Sequence, residues 1–167
     1  MPGFAYLGLG SNLGDRAAAL DRARVLLEGR GFSTLAKSST WLTEPVGGPP
    51  QGWFLNEVLG GETALTPEEL LAACLATEKE LGRVRGERNG PRTIDVDILF
   101  YDDLRHHSPG LVLPHPRLHE RLFVLAPLSE IAPHLRHPVL GLTVTEMRAR
   151  CPDRSEVRLR SPLGERP

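Results

Sequence analysis

Cysteine is nearly missing from this chain of 167 residues: Cys74 and Cys151 are the only two. Their separation suits neither a disulfide framework nor a zinc motif, so a reduced, cytoplasmic setting is expected. Long hydrophobic runs are missing as well. The longest apolar stretch, residues 122–128, is far too short to span a bilayer. The N-terminal stretch has no charged leader and no extended apolar segment, so neither a signal peptide nor membrane contact is expected. Lysine is scarce, with Lys37 and Lys79 alone, which leaves positive charge to arginine. Arginine is the better residue for bidentate phosphate contacts. Aromatic residues make up 5% and the formal charge is -1. That leaves little field to attract nucleic acid and few rings on which bases could stack. Two nucleotide signatures fail: no GKS or GKT follows a glycine loop, and "GLGSNLG" at 8–14 has Leu13 where a dinucleotide fingerprint needs its third glycine. A Gly-x-Ser-x-Gly elbow is also absent.

What is present reads as one ordinary globular domain, residues 1–160, with a loose tail at 161–167. Hydrophobic residues make up 40% and charged residues 25%, enough for a sizeable core. A strand is expected at 4–9, then a helix at 15–28 with Ala17, Leu20, Ala23 and Leu27 as its buried stripe. One strand is expected over 32–42 and another over 54–64, separated by the Pro/Gly-rich loop "EPVGGPPQGW" at 44–53. Thr66-Pro67-Glu68-Glu69 is a capping box with proline at the first helical position. It opens a helix to about residue 81 with a stripe of Leu71, Cys74, Leu75 and Leu81, and Glu78 falls on that stripe. A short helix is expected from His115, its N-cap, to just before Pro127. Thr143 and Glu146 make a second capping box. This order predicts an α+β fold with a βαββαβ core, a mostly antiparallel sheet with helices on one face, and a helical C-terminal extension.

Within "GPRTIDVDILFYDD" (90–103), Ile94, Val96, Ile98 and Phe100 alternate as a core face. The opposite face carries Asp95 and Asp97, although aspartate is depleted in strands. Residues i and i+2 of a strand lie roughly 6.5 Å apart. Two carboxylates that close repel unless a cation lies between them. Magnesium, which takes oxygen ligands from one or two carboxylates plus phosphates, suits the pair. A solvated strand face is the other reading of the pair alone.

The neighbouring residues shift that balance. Arg83, Arg85, Arg88 and Arg92 crowd the Gly-containing loop just before the pair, opposed only by Glu87. Guanidiniums beside metal-binding carboxylates form a polyphosphate site. "LPHPRLHERLF" (113–123) adds His115, Arg117, His119 and Arg121. His115 and His119 stand at i, i+4, but no glutamate follows His115 and no cysteine is near, which argues against zinc. An anion facing His115 and Arg121 fits better.

These segments resemble a known family. "YLGLGSNLGDR", "FLNEV" (54–58), "GRVR" (82–85), "GPRTIDVDIL" (90–99), "LPHPRLHER" (113–121) and "FVLAPLSEIAP" (123–133) are similar, in order, to 6-hydroxymethyl-7,8-dihydropterin pyrophosphokinases of folate biosynthesis. The resemblance implies a ferredoxin-like fold. It also implies transfer of a pyrophosphoryl group from ATP to the hydroxymethyl group of the dihydropterin, giving AMP, with two magnesium ions held by Asp95 and Asp97. Arg83 and Arg92 are then the catalytic arginines. Glu78, Arg85, Arg92, Ile98, His115 and Arg121 contact ATP, with Ile98 at the adenine. Asn56 meets the pterin edge, helped by Thr43, Pro45 and Val46, while Phe54 and Phe123 sandwich the ring; Asp95 lies at the reacting end. From the residues alone both phenylalanines read as ordinary core. The sequence departs from the family at Asn89, where some members have tryptophan, at Gly86 and Pro116, and in a loop one residue shorter. A monomer acting on small molecules, without nucleic acid, is expected. The alternative is a non-catalytic sensor of magnesium-bound nucleotide on the same fold.

Overall fold

The computed structural model describes residues 2–82 and 90–161. Its chain order is β1 (Gly3–Ser11), α1 (Arg16–Gly29), β2 (Phe32–Lys37), β3 (Trp41–Thr43), β4 (Phe54–Thr63), α2 (Pro67–Glu80) and β5 (Asp95–Tyr101). A small hairpin of β6 (His106–Ser108) and β7 (Leu111–Leu113) follows, then α3 (Leu122–Ile131), α4 (Val144–Arg150) and β8 (Val157–Leu159). The main sheet runs β5-β1-β4-β3-β8, with β2 also on β4, and every pairing in it is antiparallel. The βαββαβ core is therefore present, with β2 and β3 sharing the place of one strand.

The expected single strand at 32–42 is broken because its middle residues bond elsewhere. The Ser38 hydroxyl accepts the Val58 N–H at 2.9 Å and donates to the Ser39 carbonyl. The Glu130 carboxylate takes both the N–H and the hydroxyl of Ser39. Both capping boxes form, at Thr66 with Glu69 and at Thr143 with Glu146. On α1 the expected stripe is buried at Leu20, Ala23 and Leu27. On α2 the buried residues are Leu70, Cys74, Thr77 and Glu78, while Leu75 is 45% exposed and off the stripe.

Helices cover both faces of the sheet rather than one. Under α1 and α2, Leu7, Leu9, Leu55, Leu59, Val96 and Ile98 form one core. On the other face, Val58, Leu99 and Phe100 pack with Leu118, Leu125, Leu128 and Met147 of the α3–α4 layer. Phe100 thus lies opposite its expected face. The register opposite β1 pairs Leu7 with Ile98 but Tyr6 with Phe100. Leu99 is the extra residue of this bulge, which breaks the alternation and sends Phe100 to the side of Leu99.

His115 does not begin a helix. Its N–H bonds to the Leu99 carbonyl at 2.9 Å, and its Nδ1 accepts the Arg117 N–H. A 3-10 turn at Leu118–Glu120 follows, and extended backbone at Arg121 separates it from α3. Helix α3 continues through Pro127 to Ile131, although proline removes one interior hydrogen bond. Burial of Leu125, Pro127 and Leu128 holds that turn. The polar segment after residue 152 is ordered by pairing: β8 adds to β3, with Leu159 opposite Trp41 and Val157 opposite Thr43. The expected loose tail lies outside the described residues, apart from Ser161.

Candidate active site

Strand register builds the floor of the site. Gly10 of β1 pairs with Asp95 on one side and with Asn56 on the other. Directly paired residues on neighbouring antiparallel strands point to the same face. Asp95, Gly10 and Asn56 therefore form one row, and two strand spacings put its ends roughly 10 Å apart. Glycine in the middle leaves a shelf that the Asn56 amide overhangs. A Cβ on Gly10 would meet the Asn56 Oδ1 at 2.5 Å and the Phe54 ring at 3.7 Å. Asp97, paired with Gly8, belongs to the next row on the same face.

Beyond this floor α3 and α4 stop, which leaves a cavity of about 290 Å³. Its lining includes Thr43, Pro45, Val46, Phe54, Asn56, Arg92, Asp95, Asp97, Arg121 and Phe123. Ten residues singled out in the sequence, from 43 to 123, are thus brought together. Asn56 donates from Nδ2 to the Thr43 hydroxyl at 2.6 Å, which leaves its Oδ1 over the Gly10 shelf. Arg121 stacks over the Phe123 ring at 5.5 Å. Burial presses the Arg121 pKa down, while Asp97 and Asp95 pull it back up. That guanidinium therefore senses the carboxylate pair. Arg92 Nε lies 3.4 Å from Asp95 Oδ1.

Three residues expected at the nucleotide do not line the cavity. Ile98 is 5% exposed and faces the core under α1 and α2. Glu78, equally buried, accepts the Val96 N–H at 2.8 Å and so braces β5 on its open edge. His115 borders that same edge through Leu99. Burial, then Arg121 and Arg117, lower its pKa to about 4. It is neutral at physiological pH, and because Nδ1 accepts from Arg117, Nε2 carries the proton. Arg83 and Arg85, with Arg88 and Asn89, lie outside the described residues.

Sequence reasoning gave no role to three parts of the site. Asn12, 7% exposed, donates to Gln51 Oε1 at 2.8 Å and to the Gly52 carbonyl at 2.9 Å. Its Oδ1 accepts the Arg92 N–H at 2.7 Å, and its own N–H donates to the Arg92 carbonyl. It sits in the same "GSN" turn as Gly10, but its partners are about 40 and 80 residues away. Gly47 and Gly48, at φ 70 and 73, turn the 44–53 loop over the cavity in a conformation that favours glycine. Arg117 and Glu120 also line the cavity, and their charged groups lie 3.6 Å apart.

The donor set fits magnesium. The lining holds the carboxylates of Glu44, Asp95, Asp97 and Glu120 against the arginines 92, 117 and 121, while the Glu57 carboxylate turns to Lys37 and Thr40 on the other face. A polyanion entering it needs accompanying cations. Two carboxylates with room for phosphate oxygens suit magnesium, whose remaining positions water and phosphate fill. Among the described residues no three His, Cys, Asp or Glu side chains gather as a closed metal cage.

Residues 6–133 match a family model described as 7,8-dihydro-6-hydroxymethylpterin-pyrophosphokinase (HPPK). The chain is 48% identical over 147 residues to the 2-amino-4-hydroxy-6-hydroxymethyldihydropteridine pyrophosphokinase of Methylorubrum extorquens, covering 87% of this chain and 92% of that one. The enzyme of the same name from Bacillus subtilis is 48% identical over 132 residues, covering 78% and 79%. Among solved structures, an HPPK-DHPS in complex with substrates superposes with a TM-score of 0.70 at 13% identity, over 90% of this chain. A Plasmodium falciparum HPPK-DHPS gives 0.72 at 16% identity. The chain spans 43% and 44% of those two chains, and at such identity the likeness shows the fold, which is ferredoxin-like.

Proposed function

We infer the working of this site from the premise that the chain belongs to the 7,8-dihydro-6-hydroxymethylpterin-pyrophosphokinase family. It is a pyrophosphokinase of folate biosynthesis that transfers pyrophosphate from ATP to hydroxymethyldihydropterin. The observation that supports a reading of the site is the row Asp95, Gly10 and Asn56 beneath the cavity that Arg92, Arg121, Phe54 and Phe123 line.

On this reading the pterin lies flat on the Gly10 shelf. Asn56 meets its polar edge, with backbone groups of 43–46 beside it. The Phe54 and Phe123 rings hold its faces, since offset stacking suits a π-system. The hydroxymethyl group then points toward Asp95, at the far end of the row. The triphosphate lies across Asp95 and Asp97 toward Arg92 and Arg121. His115 contributes a neutral Nε2–H donor, not a charge. The adenine follows the open edge of β5, where Glu78 already takes the Val96 N–H and Ile98 lies two residues on. There the Ile98 backbone, not its buried side chain, is the part that reaches the base. Arg83 acts with Arg92 as the catalytic arginines and Arg85 binds ATP, as the resemblance implies; both Arg83 and Arg85 lie outside the described residues.

Asp95 and Asp97 would hold two magnesium ions. These would supply Lewis-acid polarisation of the phosphate oxygens and neutralise their charge. The chain's own contribution is mainly positioning. The hydroxymethyl oxygen is held in line with the β-phosphorus and the leaving AMP. A bond forms between that oxygen and the β-phosphorus, the bond from the β-phosphorus to the α–β bridging oxygen breaks, AMP leaves with that oxygen, and the hydroxyl proton is released with the products. Arg92 and Arg121 balance charge on the transferred group and on AMP. The 44–53 loop keeps water out, which limits ATP hydrolysis. The enzyme works as a monomer in the cytoplasm; among the described residues no helix is long and apolar enough to cross a membrane.

The test is the nucleotide product. With magnesium, ATP and 6-hydroxymethyl-7,8-dihydropterin, AMP should appear only when pterin is present, and not with the Asp95→Ala, Asp97→Ala double variant. ADP as product would overturn the reaction class. AMP formation retained by the double variant would overturn the assignment of the carboxylate pair.

A further inference from the structure

The segment after α4 has no part in the chemistry, yet it touches both walls of the ring slot from behind. Helix α3 carries Phe123 in its first turn, where backbone N–H groups lack intrahelical partners. The residue at its N-cap, Arg121, supplies no side-chain cap. Asp153, 31 positions beyond Leu122, supplies one instead. Its Oδ2 accepts the Leu122 N–H at 3.0 Å, and its Oδ1 is held by the Ser155 N–H at 2.8 Å. On the opposite wall Phe54 begins β4. Its neighbour Trp53 lies under the Arg158 guanidinium at 5.3 Å, and the Trp53 carbonyl accepts from Arg16 at 2.7 Å. Between these contacts, β8 pairs with β3, and the Glu44 N–H bonds to the Glu156 carbonyl at 3.0 Å. One short stretch therefore holds the residue before each phenylalanine and the backbone that carries Thr43.

We propose that Asp153 and Arg158 are positioning residues for the pterin: together they set the separation and tilt of Phe54 and Phe123. The inference rests on the reading that these two rings seat the pterin. A flat ring between two aromatic faces tolerates little error, because contact energy falls off within an ångström of the optimum distance. One wall rides on a helix and the other on a strand end, so their spacing depends on what ties them together. The 153–158 stretch does so without entering the cavity. Loss of either tie should therefore weaken pterin binding more than nucleotide binding, which stands mainly on β5, with Arg121 beside the capped turn its one shared residue.

The test is equilibrium binding of the dihydropterin, followed by its fluorescence, to protein saturated with magnesium and a non-hydrolysable ATP analogue. Nucleotide affinity is measured in parallel. The variants are Asp153→Ala, Asp153→Asn, Arg158→Ala and, as reference, Phe123→Ala. Asp153→Ala should weaken pterin binding about fivefold, as loss of a helix cap of that strength would. Arg158→Ala should weaken it about threefold. Nucleotide affinity should fall by clearly less than pterin affinity in Asp153→Ala, through Arg121 beside the capped turn, and hold in Arg158→Ala. Asp153→Asn keeps an acceptor oxygen for the Leu122 N–H and should restore pterin affinity. If Phe123→Ala weakens pterin binding and neither Asp153→Ala nor Arg158→Ala does, the inference is wrong and the seat stands. Equal loss of pterin and nucleotide affinity in Asp153→Ala would mean a general structural role and would also overturn it. If Phe123→Ala itself leaves pterin binding unchanged, the seat is wrongly assigned and the inference falls with it.

Discussion

The Asn56 amide occupies the space that a side chain on Gly10 would need. A Cβ there would come within 2.5 Å of the Asn56 Oδ1, so the conformation of Asn56 depends on the absence of a side chain on the adjacent strand β1. Gly10→Ala should displace that amide, break its bond to Thr43 and raise the KM for pterin at least about tenfold, with the KM for ATP nearly unchanged. Overpacking of this kind costs about 1–3 kcal/mol. An unchanged pterin KM in steady-state assays would show that Asn56 does not meet the substrate.

Glu78 acts on the site through the strand. Its carboxylate accepts the Val96 N–H between the two aspartates. Glu78→Ala leaves that buried donor without this acceptor and should cost about 1–3 kcal/mol in urea denaturation. Activity should fall as well, because β5 carries Asp95 and Asp97. Glu78→Gln keeps an acceptor and should retain most of the stability. If alanine and glutamine behave alike, the bond to Val96 does not brace the strand.

His115 gives a pH signature. Burial, then Arg121 and Arg117, hold its folded pKa at about 4, below the roughly 6.5 of an unfolded histidine. The unfolded chain therefore binds the proton more readily. The stability linked to His115 is complete above pH 6.5 and is lost as pH falls toward 4, by up to about 3 kcal/mol. Chemical denaturation of the wild type and of His115→Gln across this range should give curves that converge at low pH. Parallel curves would show that the imidazole is not held neutral.

The carboxylates should separate by role in a magnesium titration. Asp97→Asn and Asp95→Asn should each lower kcat by roughly a hundredfold or more, since metal-assisted charge stabilisation amounts to several kcal/mol. Each should also raise the magnesium concentration at half-maximal rate. Asp95→Asn should in addition alter the KM for pterin, because Asp95 ends the row that Gly10 and Asn56 continue. Isothermal titration with MgATP gives an independent readout. Full magnesium response in both variants would remove the pair from the metal site.

What the sequence determined by itself was local. The capping boxes at Thr66 and Thr143, the stripe of Leu20, Ala23 and Leu27, and the alternation that set Asp95 and Asp97 apart from Val96 and Ile98 depend on neighbours within a few residues. The quoted motifs pointed to the family in the same way. Tertiary structure alone decided the rest. The bulge at Leu99 moves Phe100 to the other face because β1 and β5 pair with one residue unmatched, and no local pattern encodes an offset between strands. His115 caps no helix because the Leu99 carbonyl claims its N–H, and Asn12 reaches Arg92 only once β1 lies beside β5. The short strand β8 has no periodicity to read, since its order comes from pairing with β3. Where a residue's partner lies many tens of positions away, register and packing decide what it does, and a sequence shows these only after the chain has closed on itself.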